Sequence, residues 1–374
     1  MSSAPSQMQL TAAQVQAIYN NRFTFARRIT RKITGSAFKS GIPFAAGQQS
    51  DPYRVTTGNY LAGIKLHVQG TMAYNLAANT AAPTLTDVGH LGLINNVSII
   101  GEDEVTPVSL SGFAQENFRI LDEKADYVET AIFNLPPANT TSAAVQTNED
   151  VDFWLLYPNV QDFIDLLGIQ NVNNDKLNIN VQINFGVETN CVNLPAGSTA
   201  TFTGTVDLYA IRFRANASNQ PGPDFTKFFN ALSVTRNASL NSSKYDININ
   251  YKNTLTRLLL HVYTGANTLD ANNSLGLKTI TLTASSGQIV LRKYDADDLQ
   301  QDNFERYGPT WYGKFANKGV YVIDLDMIRE YLPCYNYTDL KVELEFANTP
   351  ATGATVSMYL QGLTNTFPQV PLFM

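Results

Sequence analysis

Three histidines, two cysteines and two dense acidic clusters are the residues of this 374-residue chain whose types could do chemistry. His67, His90 and His261 form no His-x-His or His-Glu-x-x-His arrangement, the spacings that aim two imidazoles at one metal ion. His67 and His261 each sit in a strand-like triplet, Leu66-His67-Val68 and Leu260-His261-Val262, and read as matching structural positions. Cys191 and Cys334 have no basic or histidine neighbour in sequence to hold a thiolate, so buried, inert thiols are expected. There is no Gly-x-Ser-x-Gly elbow and no phosphate-binding glycine loop. The acidic clusters are Glu102-Asp103-Glu104 and Asp295, Asp297, Asp298. A glycosidase needs only two carboxylates, and these can be far apart in sequence. The second cluster suggests a calcium loop but lacks the glycine and terminal glutamate of an EF-hand. Solvated loop or helix-cap charges are the better reading. Trp154, Trp311 and Tyr312 could stack on sugars, yet such aromatics more often serve a core or an interface. No catalytic residue, metal or cofactor is expected.

The elements that would carry such residues are strands. Charged residues make up 16% of the chain against a usual ~25%. Asn, Thr, Tyr and Phe are prominent, which favours strands and turns over exposed helices. A low-charge surface also suits a protein buried against neighbours. At roughly 150 residues per domain the length suggests two domains. Two cysteines give no disulfide framework, and the polar amino terminus has no signal-peptide core, so folding in a reducing compartment is expected.

The net charge of −6 is unevenly spread. Residues 1–50 hold six basic side chains and no acid, leaving a net of −12 on the rest. Such an arm suits a polyanionic surface or an acidic partner. Thr11 to Gln14 reads as a capping box. Val15, Ile18 and Tyr19, then Phe25, Ile29 and Ile33, follow helical spacing among Arg22, Arg27, Arg28, Arg31 and Lys32. The expectation is a basic amphipathic helix ending at Gly35, with residues 41–51 as linker. Three contacts are open to it: an anionic bilayer, a neighbouring subunit or, less favoured, nucleic acid.

The body reads as strand after strand, with Leu177 to Phe185 alternating strictly apolar and polar. Its elements recur in order. Leu66-His67-Val68 returns at Leu260, Leu91-Gly92-Leu93 at Leu275, and Gln115-Glu116-Asn117-Phe118 as Gln301-Asp302-Asn303-Phe304. The strand ending at Phe185 returns at Phe346, and Thr205 to Tyr209 returns as Thr355 to Tyr359. Each copy also shows a short helical pattern, Val160 to Leu167 and Leu325 to Leu332. So long a period means a duplicated domain rather than a solenoid, with room for about eight strands per copy. The expected organisation is an arm and linker over 1–50, one roll over 51–216, a linker over 217–222 and a second roll over 223–374. Two immunoglobulin-like sandwiches would leave much chain unexplained.

Leu10-Thr11-Ala12-Ala13-Gln14-Val15-Gln16-Ala17 and Lys318-Gly319-Val320-Tyr321, on this duplicated architecture, resemble the major capsid proteins of membrane-containing tectivirus-type phages. The resemblance implies an all-β double jelly roll: two tandem eight-stranded rolls with an amino-terminal amphipathic helix and short flanking helices. It implies homotrimers of pseudo-hexagonal outline that tile an icosahedral shell beside neighbouring capsomers and minor capsid proteins. The basic arm would face anionic lipids of an internal membrane. It further implies a virion component assembled in the host cytoplasm. A receptor- or carbohydrate-binding spike or lectin is the alternative, and a β-sandwich glycosidase or lyase a third.

Overall fold

A computed structural model describes residues 29–34, 36–55, 60–100, 108–123, 135–157, 170–171, 179–215, 230–251, 254–265, 267–285, 287–311, 318–325 and 332–363. The longer strands of the first half are β1 (Ile29–Thr34), β2 (Lys39–Pro43), β3 (Tyr60–Leu76), β4 (Ile94–Ile100), β5 (Val108–Leu110), β6 (Val145–Tyr157), β7 (Asn180–Phe185) and β8 (Thr199–Ala215). Helix α1 (Gly112–Glu123) follows β5. The second half has β9 (Asn230–Ser239), β10 (Lys244–Asn248), β11 (Thr254–Gly265), β12 (Leu277–Ala284), β13 (Ile289–Asp295), β14 (Val320–Asp324), β15 (Lys341–Phe346) and β16 (Thr355–Leu363), with helix α2 (Ala296–Trp311) after β13.

The same wiring is used twice. The first half pairs one sheet ordered β1-β8-β3-β6 with a second run β5-β4-β7; the second half pairs β9-β16-β11-β14 with β13-β12-β15-β10. Registers repeat as well. Leu66 lies opposite Leu208, and Leu260 opposite Met358. Ile183 lies opposite Val97, and Leu344 opposite Ile280. Period-two alternation builds each core, since even and odd positions of a strand face opposite sides. In β7 and β15 the apolar residues are the buried ones, Val181, Ile183 and Phe185 matching Val342, Leu344 and Phe346.

Two sequence matches need shifting. The Leu93 carbonyl accepts from Gly186 N, and the Gly276 carbonyl accepts from Ala347 N, so Leu93 corresponds to Gly276 rather than to Leu277. By register Leu110 corresponds to Tyr294, and α1 and α2 start two residues beyond these positions, which aligns Asn117 with Gln301 rather than with Asn303. The look-alike stretches at Gln115 and Gln301 are therefore both helical but two residues out of step. The helical patterns expected at 160–167 and 326–331 lie outside the described residues, while Leu332 is in a two-residue strand.

The expected arm changes most. Residues before Ile29 lie outside the described set, but Ile29–Thr34 is a strand, antiparallel to Ile211–Ala215 of β8. β2 pairs with the same strand. Ile29 and Ile33 thus do not continue a helix to Gly35, and the linker expected from residue 41 overlaps β2. Four of the six residues of β1 are β-branched, which lowers helix propensity and suits a pleated strand.

A candidate assembly seam between the two rolls

The two rolls share a sheet. β5 of the first roll runs parallel to β9 of the second, with Leu232 opposite Val108. Above this junction α1 is wedged between its own roll and the outer face of β11, β14 and β16. Ser111 starts the helix, its Oγ accepting the Ala114 N–H at 3.2 Å. Phe113 to Phe118 are then all buried, polar residues included. A helix buried all round must satisfy its polar groups internally. Gln115 donates to the Leu156 carbonyl at 2.6 Å, and Glu116 holds Arg119 through two bonds of 2.6 and 2.8 Å.

His261 is the centre of the seam. Its Nε2 lies 2.8 Å from Asn117 Nδ2, and its Nδ1 lies 3.3 Å from the Tyr263 hydroxyl. Phe113 and Tyr359 pack against its ring at centroid distances of 5.0 and 4.9 Å. Complete burial lowers its pKa to about 3, so the imidazole is neutral. Polar ties flank this apolar patch. The Leu269 N–H donates to Asp87 at 3.0 Å, Asn267 donates to Asn190 at 3.0 Å, and Lys318 reaches Asp87 at 3.3 Å.

Alternate residues of the second roll's sheet serve two cores. Leu258, Leu260 and Val262 pack inside that roll; Leu259, Tyr263, Val320, Val322 and Tyr359 join the apolar cluster of the first roll. β11 is consequently buried on both faces. Next to the seam, Arg257 donates to Asp324 at 3.1 Å and to Gln361 at 3.0 Å, and Tyr307 of α2 also bonds Asp324. Burial and the Asp324 carboxylate raise the Tyr307 hydroxyl well above its ordinary range.

His67, the counterpart of His261, lives differently. It stacks flat on Trp154 at 3.8 Å and meets Asp152 at 2.8 Å on a partly open face. Lys65 Nζ sits over the same indole at 3.8 Å.

Among the described residues no group of three His, Cys, Asp or Glu could hold a metal ion. Asp295 Oδ1 accepts the Asp297 N–H at 3.0 Å, and Asp297 and Asp298 lie in the first turn of α2, where carboxylates favour the helix dipole. Glu102 to Glu104 lie outside the described residues. Cys191 and Cys334 are buried free thiols. Of the arm residues, Arg22, Phe25, Arg27 and Arg28 lie outside the described set, and Ile29, Arg31, Lys32 and Ile33 are in β1. No described helix is long and apolar enough to cross a membrane. Sequence reasoning found His261 but missed Asn117 as its partner. The one available signal was the repeated Gln-acid-Asn-Phe stretch.

No family model matches the chain, and no curated protein matches it. Solved structures do. The STIV major capsid protein aligns with a TM-score of 0.61 at 13% identity, covering 92% of this chain and 100% of that one. The atomic structure of Sulfolobus Turreted Icosahedral Virus gives 0.59 at 14% identity, over 92% and 94%. The Faustovirus major capsid protein gives 0.56 at 8%, over 90% of each chain. By its duplicated wiring and by these likenesses, the chain has the double jelly-roll fold found in major capsid proteins of viruses.

Proposed function

We propose that this protein is a viral major capsid protein. It trimerises into pseudo-hexagonal capsomers that tile an icosahedral shell, with neighbouring capsomers and minor capsid proteins as partners. The observation that carries the reading is the seam: two rolls of one wiring are locked side by side through a shared sheet and a buried helix. Such a pair is a rigid block, and three such blocks supply six similar units around one axis. A likeness to viral capsid proteins over nine-tenths of the chain supports the same reading.

The arm preceding β1 completes it. Arg22, Arg27 and Arg28 flank Phe25 with no acid nearby, a composition suited to an anionic membrane beneath the shell. The pairing of β1 with β8 anchors the arm's carboxyl end to the body.

Negative-stain microscopy with light scattering tests the assembly. Three-fold particles of hexagonal outline and a trimer mass are expected; a monomer at every concentration refutes it. Vesicle flotation tests the arm. Binding should require anionic lipid, fall with salt, and drop when Arg22, Arg27 and Arg28 become glutamine. Equal binding to neutral and anionic vesicles would favour an arm that clasps the next subunit.

A further inference from the structure

The end of the seam far from the arm holds a cleft. β5 and β9 run parallel, so the two rolls stand the same way up. β1 enters the body at one end of this block, where Ile29 lies opposite Ala215. At the other end the segment leading into β4, the β7–β8 connection, the start of α1 and the β11–β12 connection meet. They enclose a cleft of about 250 Å³, and Asn95, which is exposed, stands on its rim.

The lining divides in two. Leu91 and Phe113 give an apolar, aromatic side. Three amides, Asn95, Asn190 and Asn267, and four hydroxyl groups, on Ser111, Ser357, Tyr263 and Tyr359, give a polar one. None of the described residues lining the cleft carries a charge at neutral pH. Asp87 and Lys318, on the same seam, hold each other at 3.3 Å.

We infer that this cleft binds a neutral pyranose ring, a single sugar residue held between the two rolls. The cleft lies within one chain and does not depend on assembly. If the protein forms a shell with its arm inward, the cleft faces outward, where the sugar would be the end residue of a glycan.

The lining selects this chemistry. A charged ligand would lose its hydration without meeting a counter-charge. A wholly apolar ligand would leave the amides and hydroxyls unmatched. A sugar ring has C–H bonds on one face, suited to an aromatic wall, and a rim of hydroxyls that each donate and accept. The size agrees, since about 250 Å³ is the room of roughly eight waters at about 30 Å³ each, which suits one ring rather than a chain of them.

The polar side is also set in advance. The Tyr359 hydroxyl is hydrogen-bonded by Ser111, Ser357 and Tyr263. Tyr263 is held in turn by His261 Nδ1 at 3.3 Å. Because the Asn117 amide donates to Nε2, the imidazole proton is on Nδ1 and is donated to Tyr263. Near the rim Asn267 Nδ2 donates to Asn190 Oδ1 at 3.0 Å, joining the rolls. That bond leaves the Asn190 NH2 group as a donor and Asn267 Oδ1 as an acceptor, the two partners that one sugar hydroxyl needs. Groups fixed before binding lose little freedom when a ligand arrives.

Saturation-transfer NMR on the full-length protein tests it. The probes are the methyl glycosides of glucose, galactose, mannose and N-acetylglucosamine, with glucuronic acid and glycerol as controls. At least one neutral glycoside should take up saturation, most strongly on the C–H protons of one ring face, with millimolar affinity. Asn190→Ala with Asn267→Gly should weaken it by about fivefold or more, as loss of a hydrogen bond would. Asn95→Trp, at the exposed rim, should block it with melting temperature unchanged, and this variant decides the matter if the other is unstable. No saturation of any neutral glycoside would mean a cleft that holds only water and would overturn the inference. Equal binding of glucuronic acid or glycerol, or binding that Asn95→Trp leaves intact, would overturn it too. A disaccharide that binds through its non-reducing ring supports a glycan end as the source, whereas binding of monosaccharides alone supports a free sugar.

Discussion

Asn117 Nδ2 and His261 Nε2 lie 2.8 Å apart with both residues fully buried, one on the first roll's helix and the other on a central strand of the second. The amide donates to the ring nitrogen of a neutral imidazole. The bond ties a helix of one roll to a strand of the other and needs the imidazole neutral, since a protonated Nε2 could not accept.

The first prediction is a pH dependence. An unfolded histidine titrates near 6.5. His261 in the fold titrates at about 3. Between those values the unfolded chain takes up a proton that the folded chain refuses. The stabilisation is therefore full above about pH 6.5 and is lost as pH falls toward 3, at no more than about 1.4 kcal/mol per unit. Urea midpoints between pH 7 and 4 should fall more steeply for the wild type than for His261→Phe. That variant should also be less stable at pH 7, because Asn117 loses its acceptor, at a cost of about 1–3 kcal/mol. Equal slopes would mean that the ring is protonated in the fold.

A second prediction concerns two opposed glycines. Gly70 and Gly204 face each other on β3 and β8, and the Phe202 ring packs over them. A Cβ at Gly70 would overlap the Thr203 carbonyl, and one at Gly204 would overlap the Gln69 carbonyl. Phe44 meets Phe202 edge-on at 4.8 Å and blocks the ring's retreat. Gly204→Ala should lower the melting temperature through overpacking worth about 1–3 kcal/mol, with a larger loss for Gly204→Val. Gly353→Ala is the contrast: it has open space around it but a φ of +94°, so its cost is backbone strain alone.

The thiols should be silent. Burial pushes the Cys334 thiol up to about 12 and the Cys191 thiol higher still. Neither presents a thiolate at neutral pH. An aromatic disulfide reagent should label no thiol in the native protein and two per chain in denaturant. Fast labelling of the native chain would place one of them at the surface.

A buried ion pair yields the last prediction. Arg257 and Asp324 are 8% and 4% exposed, Gln361 also bonds Arg257, and Tyr307 also bonds Asp324. Removing one member leaves the other charge buried, which costs about 3–5 kcal/mol. Asp324→Ala should be strongly destabilised by chemical denaturation. Arg257→Met with Asp324→Leu should recover most of the loss. A single variant near wild-type stability would show that water reaches the cluster.

Local pattern was enough for the strands and for the duplication. Val181, Ile183 and Phe185 alternate with polar residues, and so do Val342, Leu344 and Phe346; burial follows that alternation in both rolls. Each sandwich needs only its own apolar stripes to define its inner faces, so the strands and their buried sides were readable from period two.

What local pattern could not decide is what lies on the outer faces. Ile29, Arg31, Lys32 and Ile33 fit a helix by spacing, yet their backbone pairs with Ile211 to Ala215 far along the chain. That ladder supplies hydrogen bonds the local sequence does not reveal. Gln115, Glu116 and Asn117 are consecutive polar residues, yet all three are buried because the second roll covers their helix. Leu-His-Val occurs twice with the same register. His67 stands on an open face against Trp154, while His261 is sealed against Asn117. Three residues set how the strand pleats; only the neighbouring roll, brought there by the shared sheet, decides whether its outer side meets water or protein.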